Sequence, residues 1–151
     1  MKTRSNPSLF LFFFFVLASL VFGTRQAKGQ TAQEFVAATL ILEAGGERDP
    51  RAMAAVREVI ANRAKARKQT EKQVVLARLQ FSCWNDGTAS AFAKARRHAK
   101  WREALDLASS PSLTNHTLGA DHYHTTKVSP SWARKLSKTR QIGNHVFFRQ
   151  K

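Results

Sequence analysis

Residues 31–44, TAQEFVAATLILEA, constrain the fold more than any other stretch. At 100° per residue, Ala32, Phe35, Val36, Thr39, Leu40, Leu42 and Glu43 fall within one arc of about 160°. That pattern predicts a helix packed by one face. Glu43 lies near the middle of the arc, so the helix carries a carboxylate toward the core in its last turn. Gly45-Gly46 follows and is expected to stop the helix. A carboxylate against apolar neighbours loses hydration, which favours the protonated form a general acid needs. The competing reading has Glu43 partly exposed at the helix end and paired with an arginine.

The rest of the chain reads as more helix, then a little sheet. Asp49 as cap and Pro50 at the first position open a second helix running to about Arg67, with Met53, Val56, Val59 and Ile60 inward. Thr70-Glu71-Lys72-Gln73 is a capping box for a short third helix to about Leu79. A fourth is expected from about Ser90 to Ala108, with Phe92, Ala99, Leu105 and Ala108 inward and Ser109-Ser110-Pro111 ending it. Gly119–Thr125 and Asn144–Arg149 alternate like strands, and VSPSWARKL between them reads as a turn into one helical turn. The class is α+β: a mainly helical domain with a small antiparallel sheet near the C-terminus.

The first 29 residues are set apart from that domain. Lys2 and Arg4 precede an apolar run, Leu9–Phe22, of the length of a secretory leader's core and short for a membrane span. Ala27-Lys28-Gly29 offers small residues before Gln30, and Val21-Phe22-Gly23 is a second cleavage position; the alternative is an uncleaved anchor. The expected division is a leader over 1–29 and a catalytic domain over 30–151, exported to the periplasm or cell wall. Without the leader the chain keeps 21 basic and 10 acidic residues, a charge of +11. In an exported protein such charge points to the anionic envelope rather than to nucleic acid, for which no motif is present. Cys83, the lone cysteine, has no partner for an internal disulfide and reads as a buried thiol.

Three further groups of residues bear on chemistry. His122 and His124 are two apart on an expected strand and share a face. They, with His116, His145 and Asp121, form one candidate metal set, although no spaced third ligand is evident. The other reading lines a substrate cleft with them and Tyr123, and a third makes them structural. Trp84 and Trp132 in loops suit stacking on sugar rings, whereas Trp101, Phe147 and Phe148 suit the core. Phe81 and Ser82 stand beside Trp84, and no G-x-S-x-G elbow makes Ser82 a nucleophile.

Five blocks in order, LILEAGGERDP, AMAAVREVIANRAKAR, QFSCWND, GADHYHTTKVSPSWARKL and IGNHVFFR, resemble the cell wall hydrolases of the spore cortex-lytic SleB/CwlJ type. The resemblance implies a lysozyme- or transglycosylase-like core acting on peptidoglycan between N-acetylmuramic acid and N-acetylglucosamine. It implies Glu43 as the acid. Glu47, Phe81, Ser82, Trp84, His122, Tyr123, His124 and Trp132 are the residues expected about the substrate, Glu47 either orienting the cleft or capping the helix that starts at Asp49. The resemblance implies lytic transglycosylation by a single carboxylate; no cofactor or metal is expected, and a monomer is the default. Hydrolysis calls for a second carboxylate, with Asp86, Asp121 and Glu47 as candidates. The chain departs from the spore enzymes in having no N-terminal peptidoglycan-binding domain and in its HYH segment. The alternatives are a non-catalytic envelope-binding protein and a metal-dependent wall amidase built on the histidines.

Overall fold

The structure, a computed structural model, describes residues 29–85 and 87–151; residues 1–28 of the expected leader, and Asp86, lie outside them. Helix α1 (Ala32–Ala44) opens on a capping box. The Thr31 hydroxyl accepts from the Glu34 N–H at 3.1 Å, and the Glu34 carboxylate accepts from the Thr31 N–H at 2.8 Å. The one-faced packing read from the sequence is only part of the picture, because every residue from Phe35 to Ile41 is buried. A helix with no solvent face is a central one. Helices α2 (Ala52–Arg67), α3 (Glu71–Leu76), α4 (Thr88–Arg96) and α5 (Trp101–Ser109) all pack against α1. Leu42 and Glu43, in its last turn, are half-buried.

Helix α1 ends at Gly45 with right-handed φ of −62°, so no left-handed turn stops it. A Cβ at Gly45 would lie 3.3 Å from Cε1 of His98. Glycine there admits the corner between α4 and α5 against the end of α1. Helix α2 starts at Ala52, two residues after the expected Pro50. Asp49 instead accepts the Arg51 N–H at 2.9 Å and pairs with its guanidinium at 2.8 Å. Those bonds from Arg51 hold the Asp49 carboxyl down at about 2. The capping box of α3 forms as expected, Thr70 with Gln73.

The expected fourth helix is two helices. On one continuous helix, Phe92 and Ala95 would point about 170° away from Ala104 and Ala108. All four are buried in the same core, so the chain breaks between Arg96 and Trp101 to turn the second pair inward. His98 Nδ1 accepts the Lys100 N–H at 3.2 Å at that corner. Ala99, expected inward, lies in the break and is exposed.

The sheet is antiparallel with order β1-β3-β2: β1 (His122–Thr125), β2 (Ser137–Ile142) and β3 (His145–Arg149). Tyr123 faces Phe147, and Thr125 faces His145. Strand β2 was not expected, since SKTRQI shows no apolar alternation. It is an edge strand with Lys138 and Arg140 exposed, which suits an edge that must not pair with another chain. The expected helical turn is a 3-10 turn over Ser131–Lys135.

Helix α2 joins the helical and sheet layers. Its Ala55 and Val59 form a second buried cluster with Ala120, Ile142 and Phe147. Tyr123 packs against both clusters and so sits at the seam. Asn62 Nδ2 and Arg63 Nε of α2 donate to the carbonyls of Ala120 and Asp121 at 2.8 and 2.7 Å. Glu58, buried on the same helix, accepts from the His116 N–H, the Thr117 N–H and the Thr117 hydroxyl at 2.7–2.8 Å. These bonds fix the chain entering β1. Among the described residues no helix is long and apolar enough to cross a membrane.

Candidate active site

The seam opens into a cleft of about 640 Å³, with Glu43, Leu42, Ser82, Cys83, Lys94 and His145 on its walls. The Tyr123 hydroxyl donates to Oε2 of Glu43 at 2.7 Å, across 80 positions of sequence. Burial raises the Tyr123 phenol well above its ordinary value, and the Glu43 charge and hydrogen bond raise it further. Tyr123 therefore remains a donor at any physiological pH. Burial, with the Glu43 charge beside it, also pushes the Cys83 thiol up to about 12. A thiol so held is no nucleophile.

His145 forms the other side of the seam. It is 2% exposed, its Nδ1 is buried without a hydrogen-bond partner, and its ring meets Tyr123 at 5.1 Å. Burial lowers its pKa, while Glu47 and Glu43 pull the other way. A sealed nitrogen without a partner costs less as a lone pair than as an N–H. That favours the neutral ring with its proton on Nε2. Behind Tyr123, buried Arg63 lies 5.3 Å over the Phe81 ring, and burial lowers its pKa.

The residues expected about the substrate divide into two groups. Glu43 and Ser82 line the cleft, and Tyr123 reaches Glu43. Phe81 is 3% exposed and belongs to the core under Arg63, not to the cleft wall. Trp84 turns to α1, edge-on to Phe35, with its indole N–H donated to the Thr39 hydroxyl at 3.2 Å. Glu47 holds the turn after β2, accepting from the Asn144 N–H and side chain at 3.2–3.3 Å. Gly143, at φ +54°, makes room for it, because a Cβ there would meet Glu47 Oε2 at 2.7 Å. His122, His124 and Trp132 gather on the outer face of the sheet, away from Glu43.

The histidines do not converge. His122 Nδ1 meets Asp121 Oδ1 at 2.8 Å, His124 Nδ1 donates to the Thr125 carbonyl at 2.8 Å, and His145 is on the inner face. Among the described residues no three His, Cys, Asp or Glu side chains are grouped as a metal needs. Glu43 is the one carboxylate on the cleft walls among the described residues. The sequence points to His145 only as a possible metal ligand and does not single out Arg63, whose signal is an Arg inside the apolar face of α2.

A sequence profile described as Cell Wall Hydrolase matches residues 47–148. The chain belongs to the cell wall hydrolase family. The match takes in Tyr123 and His145 and begins just past Glu43. The wall hydrolase's fold is similar to the catalytic domain of the germination-specific lytic transglycosylase SleB from Bacillus anthracis. That likeness has a TM-score of 0.62 at 20% identity and covers 82% of this chain and 98% of that one. The catalytic domain of the Bacillus cereus SleB protein gives 0.57 at 23% identity, covering 84% and 99%. No curated protein matches the chain. The α+β fold expected from the sequence holds, in its likeness to the SleB catalytic domains, and so does the cell wall hydrolase family, and with it an enzyme acting on the cell wall.

Proposed function

We propose that this wall hydrolase is exported and cuts the glycan strand of peptidoglycan between N-acetylmuramic acid and N-acetylglucosamine as a lytic transglycosylase. The observation that carries the reading is the 2.7 Å bond from the Tyr123 hydroxyl to Glu43 on the wall of the cleft. Tyr123 occupies Oε2, which leaves Oε1 to carry the transferable proton. Glu43 gives that proton to the glycosidic oxygen as the bond to C1 of muramic acid breaks. As carboxylate it then takes the proton of the C6 hydroxyl, whose oxygen closes on C1. The products are a free 4-hydroxyl and a 1,6-anhydro ring, with no water consumed.

One carboxylate suffices for this sequence of steps, whereas hydrolysis of the usual kind needs two. Of the other candidates, Asp121 is paired with His122 and Glu47 with Asn144. The Nε2 edge of His145 supplies a donor for a sugar oxygen in the cleft. Release of soluble fragments from purified peptidoglycan tests the reading. Glu43→Gln keeps the shape and removes the acid, and should lower the rate by about 10³-fold or more. Cleavage by Glu43→Gln at an undiminished rate would sink it, and tight wall binding without cleavage by either protein would make the chain a binding module.

A further inference from the structure

From His122 to Lys151 the chain has seven Lys/Arg and no Asp/Glu, whereas the much longer span from Gln30 to Asp121 has fourteen against ten. The positive charge is therefore concentrated in the sheet layer. All seven cations, Lys127, Arg134, Lys135, Lys138, Arg140, Arg149 and Lys151, are exposed. Among the described residues none of them meets a carboxylate.

An aromatic plate lies on the same layer. Trp132 packs on the outer face of the sheet, 5.5 Å from the His122 ring, 5.7 Å from His124 and 5.6 Å from Phe148. Phe148 is opposite both His122 and Lys138 in the register, so these three side chains share that face. Arg134 and Lys135 stand on the same 3-10 turn as Trp132. Guarding an edge strand accounts for Lys138 and Arg140. It does not account for Lys127, Arg134 and Lys135, which are on no strand.

We infer that the outer face of the sheet docks an anionic glycopolymer of the wall, a sugar or polyol chain bearing phosphates or carboxylates. Cations take the charges, and a half-exposed indole with flanking imidazoles offers faces for the sugar rings. Docking there leaves the Glu43 cleft, on the other side of β1, free for glycan strands. The inference rests on membership of the wall hydrolase family and not on the chemistry proposed for Glu43.

Co-sedimentation of the whole chain with purified walls tests it, with Glu43→Gln in place so that the walls survive. One variant adds Arg134→Gln, Lys135→Gln and Lys138→Gln. A second adds Arg96→Gln, Arg97→Gln and Arg102→Gln, which remove the same charge from exposed positions of the helical layer. The first should weaken binding at least about tenfold at about 0.15 M salt and flatten the salt dependence, and the second by less than about twofold. Walls stripped of bound anionic polymer should bind the parent as weakly as intact walls bind the first variant. Equal losses in the two variants, or no loss in either, would overturn the inference. So would tighter binding to duplex DNA or to phosphatidylglycerol vesicles than to walls at the same salt. Circular dichroism and melting of both variants establish that they are folded. With Glu43 restored, the first variant should cleave a short uncharged glycan at the parent rate, and if the parent cleaves none, wall binding alone still decides this question.

Discussion

Within β1, Tyr123 points inward while His122 and His124 point outward, and the two sides of the strand do different work. Inward, one phenol crosses the seam between two buried clusters and ends on the Glu43 carboxylate. Almost everything there is sealed, and two buried nitrogens, Nη1 of Arg63 and Nδ1 of His145, have no hydrogen-bond partner. Outward, two imidazoles, Trp132 and Phe148 pack on one another and stay half open to solvent, except for Phe148. The same period of two that made His122 and His124 look like a metal pair sends both away from Glu43. The inner face is joined by single hydrogen bonds, and the outer face offers area and charge.

Substitutions on either face break or sharpen this contrast. Tyr123→Phe keeps the ring and removes the bond to Glu43, so kcat on a soluble glycan should fall about 30- to 100-fold with little change in KM. A loss below about threefold would mean that the phenol does not position the acid. His145→Gln should cost about tenfold in kcat/KM, the scale of one donor to a bound sugar. It also has a pH signature. The folded pKa of His145 lies below 6.5, so the unfolded chain takes up the proton first as pH falls. Stability from this group is complete above about pH 6.5 and declines as pH drops toward the lowered value. Urea midpoints across that window should lose this part of their slope in His145→Gln.

Trp132→Ala belongs to the outer face and should act on stability, costing about 2–3 kcal/mol in urea unfolding. Its kcat on an uncharged soluble glycan should stay within about threefold. A large fall in kcat with unchanged stability would join the two faces into one site. Smallest of all, Cys83→Ser should change kcat by less than about twofold, although Cys83 is on the cleft wall, because a thiol at about 12 carries no charge at neutral pH. Strong inactivation by iodoacetamide at pH 7 would contradict that.

Local signals were the most legible. Both capping boxes are written in four consecutive residues, and that of α3 was read directly. The aliphatic run around Glu43 marked α1, but one arc understated a helix buried on all sides. The division of α4 from α5 was hidden by a composition that suits helix throughout. It emerges only when the apolar positions on either side of His98 are compared in phase. Strand β2 escaped because an exposed edge strand needs no apolar alternation. Within the site, Glu43 and Tyr123 could each be named, but nothing in a linear pattern joins residues 80 positions apart. The aromatics misled for a related reason: a loop tryptophan looks exposed until its partner, Thr39 for Trp84, comes from a distant helix.

The end groups of the fragments released from purified peptidoglycan test the central claim most directly. With one carboxylate acting as acid and then base, mass spectrometry should find 1,6-anhydromuramic acid ends, and none from Glu43→Gln. Ordinary reducing ends, 18 Da heavier by one water, would mean that water and not the C6 hydroxyl completes the reaction, and the single-carboxylate account would be wrong.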